Sequence, residues 1–86
     1  MAFKISTLNK CNKIAAAMNP KRYLSADGPK LVEIIRLLLP ESGGQPPAVC
    51  AQLVKIGRIH KWDMARMTSA QEEGFLLWLV TEVAKG

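Results

Sequence analysis

The chain is poor in the side chains that catalysis and metal binding draw on. It has one histidine, His60, and two cysteines, Cys11 and Cys50, far apart and in no C-x-x-C pair. A zinc site needs three or four clustered nitrogen, sulfur or oxygen ligands, so no metal is expected, and no cofactor. No serine stands in a G-x-S-x-G turn, which removes the usual elbow nucleophile. Gly43-Gly44 lacks the rest of the G-x-x-x-x-G-K-[ST] phosphate loop. A thiol nucleophile would need Cys11 or Cys50 against His60, but both cysteines fall on apolar stripes, where thiols pack and stay unreactive. These absences point away from an enzyme, and no small-molecule substrate is evident.

Aromatic residues make up only 6% of the chain, with Tyr23 alone near the first lysines, so no stacking platform for single-stranded nucleic acid is expected. The longest apolar run, Phe75 to Val80, is far too short to span a bilayer. Lysines break every apolar stretch through residue 13, which argues against a secretory signal. The cysteines then read as free, buried thiols in a reducing compartment, and an intracellular, cytoplasmic location is expected. A Cys11–Cys50 disulfide is the alternative.

Apolar side chains, in contrast, are plentiful. Hydrophobic residues make up 49% of the 86 positions and charged residues only 22%. A chain this short makes one domain, spanning 1–86, and buries about 60–65% of the surface it exposes unfolded. Some large apolar side chains must therefore stay outside. Contiguous patches of that kind mark partner surfaces or self-association.

The net charge of +5 is unevenly placed. Lys4, Lys10, Lys13, Lys21 and Arg22 occur before the first acid, Asp27. The remaining seven bases balance all seven acids. A localised positive field suits nucleic acid or an acidic partner, and a solvated, solubilising face is the plainer reading of the same lysines.

Periodicity is helical throughout, and the expected fold is a small all-α orthogonal bundle of four or five short helices. A basic helix at about 6–18 places Ile5, Leu8, Cys11, Ile14, Ala15 and Met18 on one face, with Ser6 as its cap and Pro20 as its stop. An apolar helix at about 29–39 opens on Pro29. Lys30, Glu33 and Arg36 form its one polar stripe, so it should be enclosed by its neighbours. Residues 40–47 read as a loop. A third helix at about 47–56 should close at Gly57 in the left-handed region, followed by a short helix at 58–67. The last, 69–85, opens on the pair Ser69 and Glu72, a capping box. Gly74 costs that helix about 1 kcal/mol relative to Ala, which a closely crossing neighbour would explain. Trp78 falls at the edge of its apolar stripe.

The segment "IGRIHKWDMARMTS" gathers His60, Trp62, two methionines and three cations. Trp and Arg dominate interface energetics, and Met adapts to varied surfaces. Trp62, Met64, Met67 and Arg66 are therefore candidates for partner contact, with core packing as the competing role of Trp62. Helices 47–56 and 58–67, joined at glycine, also have the outline of a helix-turn-helix. Arg58 and Lys61 then join Lys4, Lys10, Lys13, Lys21 and Arg22 as candidate anion or nucleic-acid contacts. Bulky Leu53 and the acid Asp63 speak against that motif. The first expectation is a small basic helical binding protein: an adaptor, an assembly subunit, or an inhibitor of a larger protein or nucleoprotein complex. A DNA- or RNA-binding protein is the alternative.

Overall fold

A computed structural model describes residues 3–19, 28–62 and 67–86. It is all-α, with four α-helices among the described residues: α1 (Ile5–Ala17), α2 (Gly28–Leu38), α3 (Pro46–Ile59) and α4 (Ser69–Lys85). A single 3-10 turn, Leu39–Ser42, follows α2 directly. No strand occurs among the described residues.

α2 is the element the others surround. Leu31, Ile34, Ile35 and Leu38 are fully enclosed, and α2 packs against α1, α3 and α4 alike. Its exposed positions include Glu33 and Arg36, so the narrow polar stripe is the part left in water. α3 contributes Val49, Leu53 and Ile56, α4 contributes Leu76 and Val80, and α1 contributes Cys11 and Ala15, with Met18 just beyond its end.

The corner after α2 is built from Ser42 and two glycines. Ser42 is wholly buried. Its hydroxyl donates to the Leu39 carbonyl at 2.8 Å and accepts from the Gln45 amide at 3.2 Å, so the buried polar group is satisfied. Gly43 and Gly44 follow with φ of 68° and 75°, a left-handed pair that other residues adopt at a cost. The chain then enters α3 through Pro46 and Pro47 in its first turn, where missing amide hydrogens cost nothing.

Several expected details differ. Ile5 is not on the packed face of α1: it is 77% exposed, and Thr7 is buried instead. Ser6 does not cap α1. Lys4 holds the cap position without a side-chain bond, and Glu41, from the 3-10 turn, reaches across to accept from the Lys4 amide at 2.8 Å and from the Thr7 hydroxyl. The capping box of α4 lies one residue earlier than Ser69/Glu72. Thr68 accepts from the Gln71 amide at 3.1 Å, and the Gln71 side chain accepts from the Thr68 amide at 2.9 Å.

The largest difference concerns Gly57. It does not end α3, which runs on to Ile59. The residue in the left-handed region is Lys61, at φ 55°. The Trp62 amide donates to the Gly57 carbonyl at 2.9 Å and the Lys61 amide to the Arg58 carbonyl at 3.3 Å, the two reversed bonds of a Schellman cap. The expected helix at 58–67 is therefore absent over 58–62, where the chain finishes α3, turns and extends. Glycine is required at 57 for a different reason. A Cβ there would lie 2.8 Å from Cε3 of the Trp62 indole, so the ring rests directly on the helix backbone.

Gly74 is the opposite case. No neighbour crosses it, and a Cβ there would meet nothing within 4 Å. The same substitution therefore has opposite signs at the two sites. In dilute solution, Gly74→Ala should raise stability by about 1 kcal/mol through helix propensity. Gly57→Ala should lower it, because the indole must be displaced. Lys61→Gly should gain roughly 1 kcal/mol by relieving the left-handed residue. Denaturant midpoints of the three variants check all three signs.

Candidate functional site

The surface carries two distinct faces. The first is apolar and lies along α3 and α4. Cys50 joins the two helices by donating its thiol to the Glu73 carbonyl at 3.5 Å. Outside that contact, a groove of about 570 Å³ runs between them, with Pro47, Ala51 and Val54 on one wall and Ala70, Gly74 and Leu77 on the other. Lys55, Arg58 and Glu73 are its charged members. On α4, Leu77 of the groove wall is 40% exposed, and Trp78, the next residue, is 57% exposed. The Trp78 ring is held by Phe75, its centroid 6.0 Å away and the planes tilted by 38°. An indole fixed on one side and open on the other loses little freedom when it meets a partner.

The second face is the outer side of α1, where Lys10 and Lys13 are exposed, with Lys4 exposed just before the helix. α1 contains no acid. The fold nevertheless brings one to its start. Glu41 sits close enough to Lys4 and Lys10 for both cations to favour its charged form, and the Thr7 hydroxyl and Lys4 amide bonds hold its carboxyl below the usual glutamate value. The field of the N-terminal lysines is thus partly offset by a residue more than thirty positions away in sequence.

His60 meets α1 near its middle. Its Nε2 lies 2.9 Å from Oδ1 of Asn12, and Asn12 uses its amide nitrogen to donate to the Leu8 carbonyl. Oδ1 is then the acceptor, so Nε2 carries the hydrogen. His60 is a clip between α3 and α1, and among the described residues no group of three potential metal ligands exists. The cysteines are free and buried. Burial, helped by the charge of Glu41, pushes the Cys11 thiol up to about 11. Burial likewise raises Cys50, with Glu73 and Glu72 adding to it. Neither thiol is disposed to act as a nucleophile at neutral pH.

Of the partner candidates, Trp62 takes the core role that the sequence had set beside partner contact. It is buried, 7% exposed, and packs on Gly57, so its ring supports the fold and offers no free surface. Met67 is half-buried. Met64 and Arg66 lie outside the described residues, as do Lys21 and Arg22. Arg58 and Lys61 are exposed, but on the last turn of α3 and the turn after it, with no glycine hinge before them. The helix-turn-helix outline that the sequence offered as an alternative is therefore missing over 47–62. The exposed residue that sequence reasoning passed over is Trp78. Its place at the margin of the α4 stripe was the available signal.

No helix of the described residues is long and apolar enough to cross a membrane. No family model matches the chain, no curated protein matches it, and no solved structure matches it.

The Glu41 clip gives a pH prediction with a defined sign. A carboxyl whose folded value lies below its unfolded one adds stability above the unfolded value, and loses it as pH falls through the folded value. The protein should therefore weaken as pH drops below about 4.5, the ordinary glutamate value, with α1 released first. Glu41→Gln should be less stable at pH 7 and show a flatter acid limb. Urea midpoints of both proteins between pH 7 and pH 3 measure it, and parallel acid limbs would refute the assignment.

Proposed function

We propose that this chain is a small basic helical binding protein that acts by macromolecular contact, as an adaptor, assembly subunit or inhibitor of a larger complex. The observation that carries the reading is Trp78, a large aromatic residue 57% exposed, which follows exposed Leu77 of an apolar groove. Tryptophan is among the residues that dominate binding energy at interfaces. A contiguous apolar patch on a small domain marks a contact surface more often than chance exposure. The chemistry of the remaining side chains adds support, since the cysteines are buried and His60 is occupied with Asn12.

A second reading rests on the exposed Lys10 and Lys13 on an acid-free helix. These lysines suit phosphates, in a binding mode that is electrostatic and sequence-independent. The two readings make different demands on different helices, which allows one experiment to separate them.

The tagged protein is used to capture partners from lysate, with and without nuclease. On the contact reading, a captured protein survives nuclease and is weakened roughly 30-fold by Trp78→Ala, the effect of losing one dominant interface residue at about 2 kcal/mol. Lys10→Glu with Lys13→Glu leaves it bound. On the nucleic-acid reading, nuclease and the double lysine change both abolish capture. Binding to duplex DNA then falls with salt at a log–log slope of about −0.9 per phosphate neutralised. Capture that Trp78→Ala leaves untouched would overturn the first reading.

A further inference from the structure

The exposed face of α4 has a regular spacing. Ala70, Gly74, Leu77, Thr81 and Ala84 recur at intervals of four and three, and none of them is buried. The exposed face of α3 repeats the pattern with Pro47, Ala51, Val54 and Arg58, again unburied. Alternating steps of three and four make a seam for a facing helix. A single such stripe is common on a surface. Here two adjacent, packed helices each carry one, and most members of both line the same groove.

We propose that the partner of this face is a second copy of the chain, bound about a two-fold axis so that α3 and α4 meet their own counterparts antiparallel in a four-helix bundle. The proposal deepens the contact reading and rests on it. In a two-fold pair the same patch serves both partners, so it must complement itself. With the axis passing α4 between residues 75 and 76, Leu77 falls opposite the partner's Gly74, and Ala70 opposite the partner's Thr81. The one large residue of the seam then enters the one gap, where the absence of a side chain leaves open space. The same axis passes α3 between residues 52 and 53. This sets Ala51 opposite the partner's Val54 and Pro47 opposite the partner's Arg58. α3 and α4 themselves pack antiparallel, as this arrangement needs, with Cys50 meeting Glu73 and Arg58 sharing a small cleft with Ser69.

Charge also favours a second copy. Two chains at +5 repel unless they meet where each is nearly balanced. The groove has that property, with Lys55 and Arg58 against Glu73. The antiparallel order separates the two Arg58 positions by roughly 16 Å along the axis, given a rise of about 1.5 Å per residue, which is beyond the screening length of about 8 Å at physiological salt. A parallel order would place Arg58 beside the partner's Arg58. The area is adequate as well. A stable pair needs on the order of 600 Å² from each partner, about a tenth of the 5382 Å² surface. Two helices about 20–25 Å long, packed side by side at 8–10 Å spacing, present a face of that order.

The test uses the whole chain, by sedimentation equilibrium from micromolar to millimolar concentration. The expected mass doubles as concentration rises. Gly74→Leu should return it to one chain, weakening the pair at least tenfold, while helicity and melting in dilute solution are kept or improved, because a Cβ there meets nothing within 4 Å, the position is exposed, and leucine is a better helix former than glycine. Leu77→Asp should act the same way on assembly. Mixing Pro47→Cys with Arg58→Cys under oxidation should cross-link the two variants to each other, and neither to itself.

Self-cross-linking of each variant would signify parallel pairing and overturn the arrangement. A dimer that survives Gly74→Leu would overturn the assigned face. A single-chain mass at millimolar concentration would overturn the second copy. In that last case the contact reading stands if Trp78→Ala still releases a captured protein, and falls with the proposal if it does not.

Discussion

An interior made from 86 residues has room for about one fully enclosed helix, and α2 occupies it. Leu31, Ile34, Ile35 and Leu38 take the centre, and α1, α3 and α4 each turn a single stripe toward them. Surface-to-volume scaling sets this limit. Once α2 is covered, the helices around it can bury one side each and no more. α4 has apolar residues on most of its circumference, so burying Leu76 and Val80 leaves Leu77 and Trp78 in water. The exposed tryptophan is a consequence of the same constraint that gives the fold its centre.

The connections are fixed by contacts between residues distant in sequence. Glu41 secures the start of α1, His60 reaches Asn12 near its middle, and Cys50 joins α3 to α4. Each satisfies a polar group, and a half-buried polar group left without a partner costs more than its bond returns. Trp62 secures the end of α3 in another way, by resting its ring against Gly57. The cap there has a lysine in the left-handed region. The burial of the indole therefore offsets a backbone strain of roughly 1 kcal/mol.

What the sequence made legible follows from this division. Helical periodicity identified the all-α class and the central place of the second helix, because three polar residues at intervals of three leave no other side to be exposed. Proline at a first turn was readable too, since its geometry is local. The α4 cap was found to within one residue, Thr68 and Gln71 instead of Ser69 and Glu72, because Thr and Ser, or Gln and Glu, offer the same donor and acceptor geometry. Gly57 was misread, because glycine serves both a left-handed turn and a close approach, and only the position of Trp62 decides between them. Ile5 was assigned inward by periodicity, although the first turn of α1 extends past the edge of the core and Thr7 turns toward Glu41 instead. Glu41 itself carried no sequence signal, since nothing local ties it to residues 4–7.

The same reasoning explains why the functional candidates moved from one tryptophan to the other. In sequence, Trp62 stands among cations and methionines and suits either an interface or the core, while Trp78 stands in "FLLWLV" at the edge of an apolar stripe. Burial is decided by the direction of the side chain relative to its helix, and neighbours in sequence point elsewhere. Trp78 follows Leu77 by about 100° around α4, away from the stripe of Leu76 and Val80. Trp62 follows a left-handed residue that reverses the chain and returns its ring onto α3. Trp62 thus became part of the frame, and Leu77 and Trp78 of the apolar run became surface. On the proposed reading, the frame holds a flat α3–α4 face steady, its cost in exposed apolar area is recovered when that face meets its counterpart, and the lysines of α1 remain in water where their mutual repulsion is screened.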